Sequence, residues 1–362
     1  MQFSFRCLLV GCSSGISLLA SLAQAAPLDA FLAADTHLSP WQAQVEIAYD
    51  AVNDQVDILK IRARDPVFGG SNVGDYSGLH LRSIYQLPYR LSLYGDWWQR
   101  EISYRVDRQA LRTWQLAMQY RLFEGNSWSK SSYALRLSSW GNAASTLSKS
   151  TPTTLFGNTL DTITVTDPKD SQLQVDFLGS WRLGDHGELS GFLGTGRSRV
   201  SIGSVGGTAT SGGCPYNISF AGGVATAELA APCGKLLSAR FTTPAPDVNQ
   251  EAAYSARYVQ AGGMLQWHNP DWRLSGGYQY QVLRRDVIDD LITSRGGSTY
   301  QTNHVLVGEV ARKVGASSAV FLRGQLMSNQ FVGEMPFAYN SVTASKFGNR
   351  YGLASVGFLH AF

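Results

Sequence analysis

Beyond residue 25 the chain has no run of about 18 apolar residues, so no segment reads as a membrane-spanning helix. Charge is also sparse. Asp, Glu, Lys and Arg make up 16% of the 362 residues, where about 25% is typical of soluble domains. The formal balance of +3 is too small to argue for a nucleic-acid partner. Cysteine is rare, with four in all, and Cys7 and Cys12 fall in the amino-terminal segment. Cys214 and Cys233 remain, both in one Gly-rich stretch. In an oxidising compartment such a pair reads as a disulfide, closing a loop worth roughly 3 kcal/mol in the chain-entropy account. Two thiolates are too few for a Cys-only metal site, and no metal or cofactor is expected. The glycines of 203–213 have no phosphate-loop lysine and precede no helix, so they read as flexible surface loop.

Glycine, tyrosine and tryptophan are plentiful, at 37, 16 and 9 residues, and they sit in period-two runs. Leu79 and Leu81 alternate with His80 and Arg82. Tyr89, Leu91, Leu93, Gly95 and Trp97 alternate with Arg90, Ser92, Tyr94, Asp96 and Trp98. Similar runs centre on Leu116, Leu135, Val175, Leu193, Leu265, Tyr278, Val307 and Leu322. Runs of about ten residues are long enough to cross a bilayer as tilted strands. Short turns, such as those at Pro88, Asp185-His186 and Asn269-Pro270, alternate with long connections at about 141–171, 203–251, 284–300 and 328–346. Trp41, Trp97, Trp114, Trp140, Trp181, Trp267 and Trp272 lie near strand ends, as interface girdles would.

The last run, Phe347 to Phe362, is uncharged from Tyr351 onward and puts Phe358, His360 and Phe362 on one face. This strand, with its terminal Phe362 and with Phe358 four residues earlier, resembles the closing signal of Gram-negative outer-membrane β-barrel proteins. The resemblance implies an all-β fold, an antiparallel transmembrane up-and-down barrel. It also implies outer-membrane lipid around the barrel and an assembly machinery that reads Phe358 and Phe362. Residues 1–25, with Arg6, an apolar stretch and Ala23-Gln24-Ala25, read as a secretory signal. Residues 26–40 are expected as a periplasmic lead-in and 41–362 as the barrel. Thirteen strand candidates conflict with the even number such a barrel needs. Twelve strands are favoured, with Trp41 to Asp50 left outside; fourteen would follow if a weak strand lay in Thr154 to Val165 or before Trp41.

The inward parity is rich in arginine: Arg62, Arg82, Arg90, Arg121, Arg136, Arg182, Arg273 and Arg323. Bare guanidinium groups in a lumen favour anions, and the pattern resembles the arginine-lined tracks of barrels that pass acidic oligosaccharides. The alternative is that these arginines brace the wall against inward acids such as Asp96, Asp176 and Glu309. The expected function is a channel for small polar or anionic solutes, with the Gly203 to Glu251 loop folding inward as its gate. The rival is a closed barrel whose surface loops bind a partner or polysaccharide, or help export one. Catalysis is not expected. Asp286, Asp289 and Asp290 read as a solvated loop, and His80 points inward with no serine assignable to it.

Overall fold

The computed structural model describes residues 29–36, 38–53, 57, 74–104, 107–123, 131–150, 152–155, 158–245, 247–340 and 344–362. Twelve antiparallel strands close into a barrel. They are β1 (Ala43–Val52), β2 (Asp75–Gln86), β3 (Leu91–Tyr104), β4 (Asp107–Phe123), β5 (Ser131–Ala143), β6 (Lys169–Leu183), β7 (Gly187–Ser201), β8 (Ser255–His268), β9 (Trp272–Arg285), β10 (Thr302–Lys313), β11 (Ser318–Met327) and β12 (Tyr351–Ala361).

The alternation explains the closure. An antiparallel strand points successive side chains to opposite faces, so a period-two sequence gives the sheet one apolar and one polar face. Here the apolar face is outside. Leu116, Leu193, Leu322 and Val356 are each at least 58% exposed, whereas Glu46, Asp96, Gln174 and Arg323 are buried inside. An exposed apolar surface of this extent is unstable in water and stable in lipid. A closed ring also leaves no backbone edge unpaired.

The strand count of twelve agrees with the favoured expectation, but the strand left outside belongs inside. β1 pairs with β2, and also with β12, matching Val45 to His360 and Ala51 to Ala354. β1 is therefore the closing strand. The alternation at Leu59, Ile61 and Ala63, which made the count odd, lies outside the described residues, and the ring closes without it. Arg62 and the signal segment 1–25 also lie outside them. None of the described residues within Thr154 to Val165 joins the barrel. Thr162–Thr166 joins a separate sheet instead.

That sheet has six strands and stands at the end of the barrel opposite the short turns. Its order is Arg240–Pro244, Val224–Leu229, Cys214–Ala221, Ser204–Ser211, Thr162–Thr166 and Thr146–Lys149. It draws on both the β5–β6 and the β7–β8 connections. The Gly-rich stretch is thus an ordered strand, not a flexible loop. At Gly207 a Cβ would meet the Thr162 carbonyl, so glycine allows this close pairing. Ile163, Val205 and Phe220 form the sheet's own apolar cluster. Cys214 and Cys233 are disulfide-bonded.

Two segments enter the barrel. Residues 29–36, expected as part of a periplasmic lead-in, lie in the lumen, which the chain occupies from the end that carries the short turns. A 3-10 turn at Asp29–Phe31 packs on β8, β9 and β10. From the other end the β11–β12 connection folds into the mouth. It buries Phe331, Val332, Met335, Phe337, Tyr339 and Phe347 against Tyr76, Ile102, Leu111, Trp140 and Leu283 of the wall. The expectation that the Gly203 to Glu251 loop would fold inward is therefore overturned. That loop satisfies its backbone within its own sheet, while the 328–350 connection carries apolar side chains that need the mouth for burial.

Candidate functional site: the closed lumen

The inward faces build the lumen. Most of the expected arginines are there, and most are paired. Arg323 on β11 is the centre of the largest cluster. It holds Glu46 of β1 with two bonds, of 2.9 and 3.2 Å, and Glu309 of β10 at 2.7 and 2.9 Å. Arg273 of β9 donates to the other oxygen of Glu309 at 2.9 Å. β12 lies between β11 and β1 and turns the small Ser355 and Gly357 inward, which gives Arg323 room to span the closing seam. Nearby, Arg82 of β2 pairs with Asp96 of β3. Buried His80 stacks on Trp98 at 4.3 Å and lies 3.6 Å from Asp96 and 3.9 Å from Glu46.

The rest of the wall continues in the same way. The Arg136 guanidinium lies 4.8 Å from the centre of the Tyr94 ring, and the Tyr94 hydroxyl donates to Gln119. Across β6, β8 and β9, Gln174 and Gln260 donate to Asp176, Tyr258 donates to Gln174, and Gln279 donates to Gln260. Arg90 departs from the expectation. It sits on the turn before β3, exposed, with a positive φ of 66°, so it lies at the rim. Trp140 departs too: it faces the lumen fully buried, whereas Trp97, Trp114, Trp181, Trp267 and Trp272 are exposed on the outer surface. The bridging role of Glu46 was missed because its strand had been placed outside the ring.

The entering segment 29–36 has a fitted seat. Leu32 and Ala34 pack against Ala134, Leu178 and Phe192, an apolar patch on the inward faces of β5, β6 and β7. Gln119 donates to the carbonyls of Ala33 and Ala34 at 3.0 and 3.1 Å, and the Ala34 amide donates to Ser180 at 2.9 Å. Asp35 lies 3.6 Å from both Arg121 and Arg182. Arg182 is 64% exposed at that end of the lumen, so its attraction to Asp35 is weak. Between this segment and the wall is a chamber of about 170 Å³, lined by Glu46, Arg82, Asp96, Arg136 and Arg323 among others.

At the mouth, the connection 328–350 is fixed by polar contacts as well as apolar burial. Arg100 pairs with Glu334 at 2.6 Å, Asn142 donates to the Glu334 carbonyl, Asn303 to that of Val332, and Tyr254 to that of Pro336. Arg285 lies 3.7 Å over the Tyr339 ring, and burial holds the Tyr339 phenol above its ordinary pKa. Asp289 is engaged by Arg285 and Gln301, which accounts for the buried member of the Asp286, Asp289 and Asp290 group. No cluster of three or more metal-ligating side chains occurs among the described residues. Ser318 and His360 share a hydrogen bond of 2.8 Å on the outer face, where His360 lies against Phe358 and Phe362.

No family model matches the chain, and no curated protein matches its sequence. Solved structures resemble it in fold. The translocator domain of the autotransporter NalP from Neisseria meningitidis aligns over 90% of both chains, with 10% identity and a TM-score of 0.48. The KdgM porin in complex with disordered oligogalacturonate aligns over 88% of this chain and 99% of its own, with 8% identity and a TM-score of 0.38. The P. putida toluene transporter TodX aligns over 89% and 90%, with 10% identity and a TM-score of 0.35. The closed ring, the apolar outer belt and the aromatic residues on it decide the class. This is a bacterial outer-membrane β-barrel protein. In such barrels the short turns face the periplasm and the long connections the outside. The segment 29–36 thus enters this barrel from the periplasmic side, and the six-stranded sheet stands outside the cell.

Proposed function

We propose that this protein is a gated channel for small polar or anionic solutes, and that the conformation described here is its closed form. The observation that carries the reading is how the periplasmic half is filled. The segment 29–36 adds no strand to the sheet; it is held by side chains, two carboxylate–guanidinium contacts and packing on two apolar clusters. A plug attached in this way can leave without breaking a barrel ladder. Behind it is a charged chamber and not a packed apolar core. Its departure would also remove Asp35 from Arg121 and Arg182, which tilts the pore toward anions.

Gly277 offers a direct test. A Cβ there would run into the Ala30 carbonyl and the Phe31 ring, and β9 itself has no need of glycine at that point. Gly277→Val should expel the segment and leave the barrel intact. The expected outcome in planar bilayers is a nearly silent wild type and a steadily conducting variant. Under a salt gradient the variant's reversal potential should lean toward anions. Added to Gly277→Val, the pair Ala34→Cys and Ser180→Cys, at residues that hydrogen-bond in the native chain, should hold the plug in place and keep that variant silent until reduced. A folded Gly277→Val barrel with no conductance would favour the other reading, a closed barrel whose large outer sheet meets a surface partner. That reading draws its support from the mouth, where the β11–β12 connection buries its apolar side chains in a cluster that also takes in Ala30 of the plug.

A further inference from the structure

The molecule has a second cavity, outside the lumen and unrelated to its charges. It lies on the extracellular side, where the six-stranded sheet leans over the barrel mouth, and its volume is about 170 Å³. Three separate parts of the chain wall it. Ile102 and Leu111 come from β3 and β4, Ile163 and Val205 from the outer sheet, and Met335 and Phe337 from the connection that closes the mouth. It therefore sits where two apolar clusters meet, that of the mouth and that of the sheet, with a void left between them.

The charged carboxylates and Gln109 at its edge are already engaged. Asp107 accepts from the Ser150 amide, Gln109 exchanges hydrogen bonds with the Ser148 backbone, and Glu251 is held by Arg295 at 2.7 Å. Lys149 stands beside Asp107 at the margin. A ligand would thus gain little from bringing charge, and an anion would face two carboxylates. What the site offers is apolar contact. An apolar cavity of about 150 Å³ stays dry and takes a benzene molecule, so this volume suits one ring with a small substituent.

We propose that this cavity is a binding site for a small neutral apolar molecule, of the size of a monosubstituted benzene or a short-chain hydrocarbon. The site stands on its own lining and does not depend on whether the barrel conducts. Its position places such a ligand against Met335 and Phe337, the residues that close the mouth.

The test uses fluorobenzene and the full-length protein in lipid nanodiscs, followed by fluorine NMR, with empty nanodiscs as the blank for partition into lipid. Saturable binding above the blank is expected, displaced by toluene and left in place by benzoate and by biphenyl, which is too large. Val248→Phe, on the short helix that lines the cavity, should fill it and weaken binding by about tenfold or more. Ala252→Phe is the second filling variant should the first fail to show heat-modifiable migration as a folded barrel. Absence of a saturable component in the wild type would overturn the site. Displacement by benzoate as strong as by toluene would overturn the ligand class. Unchanged affinity in a folded filling variant would overturn the location. A folded Gly277→Val barrel that stays silent yet binds fluorobenzene would count against the channel and leave the site standing.

Discussion

At the scale of single residues, neighbours on one strand live in opposite solvents. Arg323 is buried in a salt-bridged cluster, while Leu322 beside it is 60% exposed on the outer face. Two charges taken out of water are offset only by close mutual contact, and removing one partner of a buried pair strands the other. Arg323→Met would remove the cation that Glu46 and Glu309 share, leaving Arg273 on Glu309 and the more distant Arg82 near Glu46. A loss of about 3–5 kcal/mol is expected, read as a lower urea midpoint for unfolding from lipid vesicles. Adding Glu46→Gln and Glu309→Gln should restore most of it, because the stranded charges go too. A single variant as stable as wild type would show that the cluster is hydrated and contributes little. The inward and outward sets were legible from period two alone, since each strand must satisfy lipid and lumen at every second position. Glu46 and Trp140 were harder to place. The first depends on which strands close the ring, and the second on where a strand leaves the membrane.

The elements divide in a related way. Strands announce themselves because their ladder imposes a repeat on the side chains. The lumen segment and the mouth connection have no ladder and hence no repeat. Phe331, Val332, Met335, Phe337 and Phe347 follow the shape of the cavity they fill, and Leu32 and Ala34 answer to three residues on three different strands. Nothing local in the sequence records that match. The outer sheet lies between these cases. Its strands are regular, but glycine and the long span from 203 to 251 hid them. A disulfide closes a separation of 19 residues within it. Replacing Cys214 and Cys233 by Ser should cost the sheet about 3 kcal/mol. Hydrogen exchange should quicken in Cys214–Ala221 and Val224–Leu229, and the heat-modifiable transition of the barrel should stay where it is. A parallel fall of both would mean that the sheet and barrel unfold as one unit.

For the whole molecule, the outer belt decides where the protein can exist. Leu116, Leu193, Leu322 and Val356 sit midway along their strands, and Trp181, Trp267 and Trp272 nearer the periplasmic turns. A charge on that surface costs most at the bilayer midplane and little near the interface. Leu322→Arg should therefore destabilise the inserted barrel by ~2–4 kcal/mol, whereas Val314→Arg, on the β10–β11 turn, should cost ~0–1 kcal/mol. Both positions are more than half exposed, so a soluble protein would tolerate both alike. The comparison thus measures depth in lipid, not burial in protein. The same substitution at the two sites, followed by urea unfolding in vesicles, should give the graded penalty; equal effects would remove the lipid belt on which the orientation of the plug, the mouth and the outer sheet all depend.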